Sequence, residues 1–217
     1  MIPVLTIDGP SGAGKGTVSR AVAKKLGWHY LDSGSIYRSL AIAVLAQHVE
    51  LEAVSDIVAI AKSMQLGFEC GEELIVTLNG ENISAQLGTE TTGNAASIIA
   101  AYPEVRAVLL QKQKDFQQAP GLVADGRDMG TVVFPDASNK VFLTASASER
   151  AKRRYKQLIE KGISANLERI TQEIEARDKR DSERKNAPLI AAENALIIDS
   201  SELSVNQVIE MVLNLVR

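Results

Sequence analysis

Apolar positions along the chain follow two rhythms that take turns. Short apolar runs, most of them ending on or beside an acid, predict strands over 3–8, 29–31, 122–125, 140–143 and 195–198. Longer stretches with apolar residues at helical spacing predict helices over 15–26, 35–47, 53–64, 104–116, 147–161 and 205–216. Strands separated by helices of this length can pair in parallel, so the pattern predicts an α/β fold with a mainly parallel sheet. Between 66 and 84 the rhythm changes. Leu74, Val76 and Leu78 share a period of two, Asn79-Gly80 is a strong hairpin signal, and Glu81-Asn82-Ile83 can run back as a return strand. This predicts a small antiparallel insert. No internal repeat, low-complexity segment or proline-rich linker divides the chain.

Asp8, Asp32, Asp125 and Asp199 stand at or just beyond strand ends. Ligands of open parallel sheets gather beyond the carboxyl ends of the strands, which makes these acids site candidates. Capping of the next helix is the alternative, and it is the preferred reading for Asp199 before Ser200 and Ser201.

The first strand runs directly into Gly9-Pro10-Ser11-Gly12-Ala13-Gly14-Lys15-Gly16-Thr17. Glycines let successive backbone N–H groups turn inward on a polyphosphate. Lys15 adds a positive charge, and the next helix points its N-terminus at the same spot. Val18, Ala21, Val22 and Leu26 give that helix an apolar face, so strand, glycine turn and helix occur in the order a nucleotide triphosphate site needs. One position departs from the general motif: Gly16 follows the lysine where Ser or Thr is usual, and Thr17 comes one residue later. No direct protein ligand to Mg²⁺ is therefore assigned. Thr17 reaches the metal through water or contacts a phosphate, and most ligands come from water and nucleotide oxygens.

A chain of 217 residues can hold one sizeable core with one or two small inserted subdomains. Met1-Ile2-Pro3 leads at once into the first strand, and the longest apolar stretch, 40–46, is too short to cross a bilayer, so a cytoplasmic protein without membrane contact is expected. Cys70 is the single cysteine and reads as a small core or strand residue, which excludes a disulfide framework. With only His29 and His48, a histidine metal cluster or a catalytic triad is not expected. The net charge of −3 is uneven: 150–185 holds 12 Lys and Arg against 7 Asp and Glu. Acids are interleaved there and Tyr155 is its one aromatic residue, so a polyphosphate is a better partner than extended nucleic acid.

A second anion site fits Asp32-Ser33-Gly34-Ser35-Ile36-Tyr37-Arg38, where a hydroxyl, a new helix N-terminus and an arginine follow a strand. Ala124-Asp125-Gly126-Arg127-Asp128-Met129-Gly130-Thr131 places two adjacent charges on a turn after a buried strand. With the cradle, Asn94-Ala95-Ala96-Ser97 and Arg177-Asp178-Lys179-Arg180-Asp181, these segments resemble the bacterial cytidylate kinases, nucleoside monophosphate kinases, over essentially the whole chain. The Gly16 departure then reads as a family feature.

The resemblance implies a P-loop NTPase-like, three-layer α/β/α fold with a helical lid, and an ATP-dependent phosphorylation of CMP and dCMP with Mg²⁺ by a monomer. Its parts would be a core over 1–32, 102–149 and 186–217, an acceptor domain over 33–101 with the β insert, and a basic lid with acceptor-contact helices over 150–185. ATP would lie against Gly9, Pro10, Ser11, Gly12, Ala13, Gly14, Lys15, Gly16, Thr17 and Arg153. The acceptor phosphate would meet Ser33, Arg38, Arg127 and Arg184; cytosine would meet Ser97, Arg106 and Asp128; the ribose hydroxyls would meet Arg177 and Asp181. Catalytic roles fall to Lys15, Arg127, Arg150 and Arg154, with Arg150, Arg153 and Arg154 coming over the ATP phosphates from the lid. A P-loop kinase with another small acceptor such as UMP is the alternative. A guanine-nucleotide switch is disfavoured, because Asn139-Lys140 continues into Val141-Phe142 without the aspartate of an Asn-Lys-x-Asp signature.

Overall fold

The computed structural model describes residues 2–70, 74–160 and 162–216; the Cys70 side chain and the expected helix end at Lys161 lie outside the described residues. The chain opens with β1 (Val4–Asp8), α1 (Lys15–Leu26) and β2 (His29–Asp32). Then come α2 (Ser33–Ala46), α3 (Val54–Ser63), β3 (Leu66–Cys70), β4 (Leu74–Leu78), β5 (Glu81–Asn82), α4 (Ser84–Leu87), α5 (Glu90–Ile99) and α6 (Pro103–Lys114). β6 (Leu122–Gly126), a π-helical turn (Met129–Val133), β7 (Asn139–Thr144), α7 (Ala147–Glu160), α8 (Leu167–Glu183), β8 (Leu196–Asp199) and α9 (Val205–Val216) complete it. Two compact units result: Met1–Leu31 with Gln117–Arg217, and Asp32–Phe116.

In the first unit the described strands form a sheet in the order β2-β6-β1-β7-β8. β1 runs parallel to β6 and β7, and β7 parallel to β8. Every residue of β1 and β6 is buried, as expected of central strands in a parallel sheet. α1 buries Val18, Val22 and Ala23, α9 buries Val208, Ile209 and Val212, and the two helices pack together. Leu5, Ile7, Leu122, Leu143 and Ile198 are fully buried, each contributing about 1.5–3 kcal/mol, more than an exposed ion pair supplies. Apolar burial therefore sets the register. Asp8 pairs with Gly126, the last residue of β6, so these two strands end level and the turns after them emerge side by side, while β7 runs past its Asp8 partner Phe142 to Thr144.

The second unit is built on α2, which is buried along most of its length and packs against α5 and α3, while α3 packs on α6. Asp32 caps α2: its Oδ1 accepts from the Ser35 amide at 3.0 Å and its Oδ2 from the Ser35 hydroxyl at 2.7 Å. The insert is antiparallel, with β4 paired to β3 and β5. Its hairpin turns at Asn79 and Gly80, both left-handed with φ of 51° and 88°, as the Asn-Gly pair predicts. Phe68 meets Phe116 edge-on at 5.2 Å.

The expected strands are found within one residue at either end, and the expected helices within two where described. α5 is an addition. Thr91, Thr92, Gly93 and Asn94 are weak helix formers, but Thr89 accepts from the Thr92 amide and packing on α2 overrides propensity. Asp199 does not cap a helix. Its Oδ1 accepts from the Ser201 amide at 2.9 Å in a local turn, and α9 is opened by Ser204, whose hydroxyl accepts from the Gln207 amide at 3.3 Å. Among the described residues no helix is long and apolar enough to cross a membrane.

Gly9 is the tightest point of the fold. Its φ is +149°, and a Cβ there would stand 1.9 Å from the Leu143 carbonyl oxygen, a backbone atom that cannot swing aside. Gly9→Ala should cost about 2 kcal/mol or more, a fall in Tm of about 4–8 °C by circular dichroism. An unchanged Tm would mean that the backbone relaxes freely there.

Candidate active site

Gly14 caps α1 in the left-handed conformation, and no side chain closes the helix start. The first amides of the helix lack intrahelical partners, so they remain donors for an anion at the cradle. Lys15 is buried at the base of this loop. Its Nζ donates to the Pro10 carbonyl at 2.9 Å and stands 4.0 Å from Asp125 Oδ1, while the Tyr30 hydroxyl donates to Asp125 Oδ2 at 3.3 Å. A lysine held at both ends of its own loop is placed to meet phosphate oxygens without a large excursion.

Beyond β6 the chain turns through Arg127 and Asp128 into the π-helical turn. The Asp128 carbonyl accepts from the Val132 and Val133 amides at 2.9 and 3.2 Å. Asp8, at the end of β1, accepts from the Met129 amide at 2.8 Å and the Gly130 amide at 2.7 Å. Burial pushes the Asp8 carboxyl up to about 7; the Gly130 and Met129 amides and Lys15 oppose the rise, and the charge of Asp128 adds to it.

The basic segment folds as α7 and α8, which pack on each other. Asp181 is buried, and its Oδ2 lies 3.1 Å from Arg127 Nε and 4.0 Å from Arg177 Nε, while Arg184 Nε donates to its carbonyl at 3.3 Å. Burial raises the Asp181 pKa, but Arg127, Arg177 and Arg184 outweigh it and hold the carboxyl below its ordinary value. The i,i+4 spacing of Arg177 and Asp181 is thus no surface ion pair. Arg177 Nη1 also reaches the Ser11 hydroxyl at 3.5 Å.

Arg150 is buried and committed. It donates to the Ala145 carbonyl at 2.9 Å and the Ser11 carbonyl at 3.0 Å, and grips Asp178 with both terminal nitrogens at 3.1 and 2.5 Å. Arg153 donates to the Ser200 carbonyl at 2.7 Å and to Glu149 at 3.2 Å. Arg154 is half-buried on α7, and Thr17 is exposed in the first turn of α1.

Lys15, Arg127, Asp128, Arg150, Arg153, Arg154, Arg177, Asp181 and Arg184 thus belong with the cradle in the first unit. Ser33, Arg38, Ser97 and Arg106 belong to the second. There the Ser33 hydroxyl donates to Gln113 Oε1 at 2.8 Å, Arg38 donates to the Leu87 carbonyl, Ser97 is buried, and Arg106 stacks over the Tyr37 ring at 5.7 Å. Two partnerships were not visible in the sequence: Asp8 with the amides after Asp128, and Asp178 with Arg150. Asp8 carried a signal, as an acid ending a buried strand before a glycine. Asp178 carried none beyond its place in a charged helix.

The site also has the right donors for Mg²⁺. Asp125 is a buried carboxylate whose Oδ2 lies 3.5 Å from where a Cβ on Gly16 would stand, so glycine leaves room there. One hard oxygen ligand beside a phosphate cradle suits a cation that keeps waters and nucleotide oxygens.

Compared with known families, residues 5–217 match the model of cytidylate kinase. The chain belongs to the cytidylate kinase family. It is 57% identical over 216 residues to a cytidylate kinase of Methylococcus capsulatus, covering 100% of this chain and 97% of that one. With a cytidylate kinase of Aeromonas salmonicida it shares 56% identity over 214 residues, 98% of this chain and 93% of the other. A crystal structure of an uncharacterized protein from Eubacterium ventriosum is 10% identical with a TM-score of 0.50, covering 98% of this chain and 96% of that one, a likeness of fold alone. The structure and these relatives agree on an α/β nucleotide kinase.

The raised Asp8 pKa has a measurable sign. Between about pH 4 and 7 the folded chain holds a proton on Asp8 that the unfolded chain releases, so stability falls as pH rises through that window and levels off above it. The slope from this one group is about 1.4 kcal/mol per pH unit. Urea unfolding at pH 5, 6, 7 and 8 should show it as a wild-type stability that falls relative to Asp8→Asn up to about pH 7 and then keeps a constant offset from it. A difference that does not change between pH 5 and 7 would assign Asp8 an ordinary pKa.

Proposed function

We propose that the chain transfers the γ-phosphoryl group of ATP to the phosphate of CMP or dCMP, giving CDP or dCDP. The observation that carries this reading is the sheet register, which sets a phosphate cradle beside the Arg127–Asp128 turn in a member of the cytidylate kinase family.

The cradle, Gly9 to Thr17, holds the ATP phosphates, with Arg153 beside it. Asp125, and Thr17 through water, would hold the Mg²⁺ that travels with ATP. The chemistry it would supply there is positive charge against the phosphate oxygens. Ser33, Arg38, Arg127 and Arg184 are assigned to the acceptor phosphate, Ser97, Arg106 and Asp128 to cytosine, and Arg177 and Asp181 to the sugar. Residues 33–101 serve as the acceptor domain and 150–185 as the lid.

The acceptor oxygen belongs to a phosphate already largely ionised at neutral pH, so no strong general base is needed. The work is alignment, charge neutralisation and exclusion of water. Lys15 meets the moving phosphoryl oxygens, and Arg127 and Arg154 add positive charge. Arg150 acts from its place on the Ser11 carbonyl, fixing the cradle against α7.

ADP release measured against CMP, dCMP, UMP, AMP and GMP should be fastest with the two cytidine monophosphates. A higher kcat/KM for UMP would replace the cytidine assignment with the uridine one. Lys15→Ala should lower kcat by about a hundredfold or more at saturating ATP while the fold is kept, because the lysine acts on charge that develops during transfer. Near-normal turnover would remove Lys15 from the mechanism.

Asp181→Ala separates sugar binding from general support. KM for CMP and dCMP should rise while KM for ATP stays within about twofold, and CMP should lose more if the carboxylate accepts from the 2′-hydroxyl. Unchanged acceptor constants would remove Asp181 from the acceptor site, both as a sugar ligand and as the anchor of its three arginines.

A further inference from the structure

Asp128 stands at the start of the π-helical turn, the position where an aspartate commonly caps its own turn. Its side chain makes no cap bond. The leading amides of the turn, Met129 and Gly130, are held instead by Asp8 from β1, one on each carboxylate oxygen at 2.8 and 2.7 Å. Behind them the Asp128 carbonyl takes the Val132 and Val133 amides, so the backbone that leaves Asp128 is fixed from its own carbonyl onward. The turn is pressed onto the strand. A Cβ on Gly130 would come within 2.8 Å of Thr6 Oγ1 and 3.3 Å of Asp8 Oδ2, and Thr6 is fully buried.

We propose that Asp8 is a positioning residue for base selection: by holding the amides of Met129 and Gly130 it sets the place of Asp128, and through it the preference for CMP over UMP. This rests on Asp128 reading the base. Cytosine offers an amino donor where uracil offers a carbonyl acceptor, so a displaced carboxylate loses its bond to the first and its repulsion of the second together. Two short bonds to one carboxylate leave little freedom at Asp128, whereas one bond would let the turn rock.

Asp8→Asn keeps the volume and one acceptor oxygen, but sets an amide NH₂ against a backbone N–H. The variants Asp8→Asn, Asp128→Ala and the double are compared by kcat/KM for CMP and UMP at pH 8, with KM for ATP alongside. Asp8→Asn should narrow the CMP to UMP ratio by about tenfold, leave KM for ATP within about twofold, and add nothing further on the Asp128→Ala background. The Met129 and Gly130 amides should exchange faster with deuterium in Asp8→Asn. Gly130→Ala, which leaves Asp8 in place and pushes the turn away from it, should narrow the same ratio and serves if Asp8→Asn does not fold.

If Asp128→Ala narrows the ratio and both Asp8→Asn and Gly130→Ala leave it intact, the proposal fails while the reading of Asp128 stands. An unchanged ratio in Asp128→Ala removes the base-reading role, and any narrowing in Asp8→Asn would then act through another residue, which also overturns the proposal. Equal rises in KM for ATP and CMP in Asp8→Asn would reduce Asp8 to general support of the cradle.

Discussion

An ionised group taken out of water must be matched by partners, and at the carboxyl edge of the parallel sheet nearly everything follows from that requirement. Asp8, Lys15, Asp125, Asp128, Arg150 and Asp181 are each less than a tenth exposed. Lys15 is met by a carbonyl and by Asp125, Asp8 by two amides, Arg150 by two carbonyls and Asp178, and Asp181 by three arginines. Where one buried charge faces one other, as Lys15 faces Asp125, removing either leaves its partner stranded, at a cost of about 3–5 kcal/mol. That cost holds the loops in one arrangement. The apolar strands beneath supply stability, and the buried charges at their ends supply precision of placement.

The strand and helix pattern was legible because burial and period coincide. β1 and β6 are apolar runs buried on both faces, and α1 and α9 carry their apolar residues at helical spacing. The Asn79-Gly80 turn was legible for a different reason: two successive left-handed residues leave few choices of amino acid. α5 was hidden because a run of Thr, Gly and Asn says little until α2 is packed on it. The start of α9 is where its spacing puts it, and only the capping role given to Asp199 is not borne out, for a local reason. Asp199 and Ser204 both precede the helix, and pattern alone does not tell which one opens it.

The site residues divide in the same way. The cradle declares itself, because glycines, a lysine and a following helix are needed in one order. The arginines of 150–185 are visible as charge, but charge does not say where a guanidinium goes. Arg150 is gripped by Asp178 and laid on the Ser11 carbonyl, a placement that its position in a charged run does not announce. A Cβ on Gly12 would come within 3.2 Å of the Arg150 Cβ, so the loop and α7 are in close approach there. An arginine so placed ties the cradle to α7 and brings positive charge to the loop.

Asp8 and Asp181 show how one residue type is given opposite properties within one unit. Both are buried, and burial raises both. Asp8 is opposed mainly by backbone amides, whose partial charges do not restore what water supplied, and Asp128 adds a like charge nearby; its carboxyl ends near 7. Asp181 is opposed by full guanidinium charges and ends below its ordinary value. At neutral pH Asp181 is therefore firmly anionic, able to gather arginines and to accept from a hydroxyl, whereas Asp8 is balanced between its two forms. The ionised form takes both amides of the π-helical turn. The neutral form would hold one of them less well, so the protonation of a residue outside the phosphate cradle bears on the turn that follows Arg127 and Asp128.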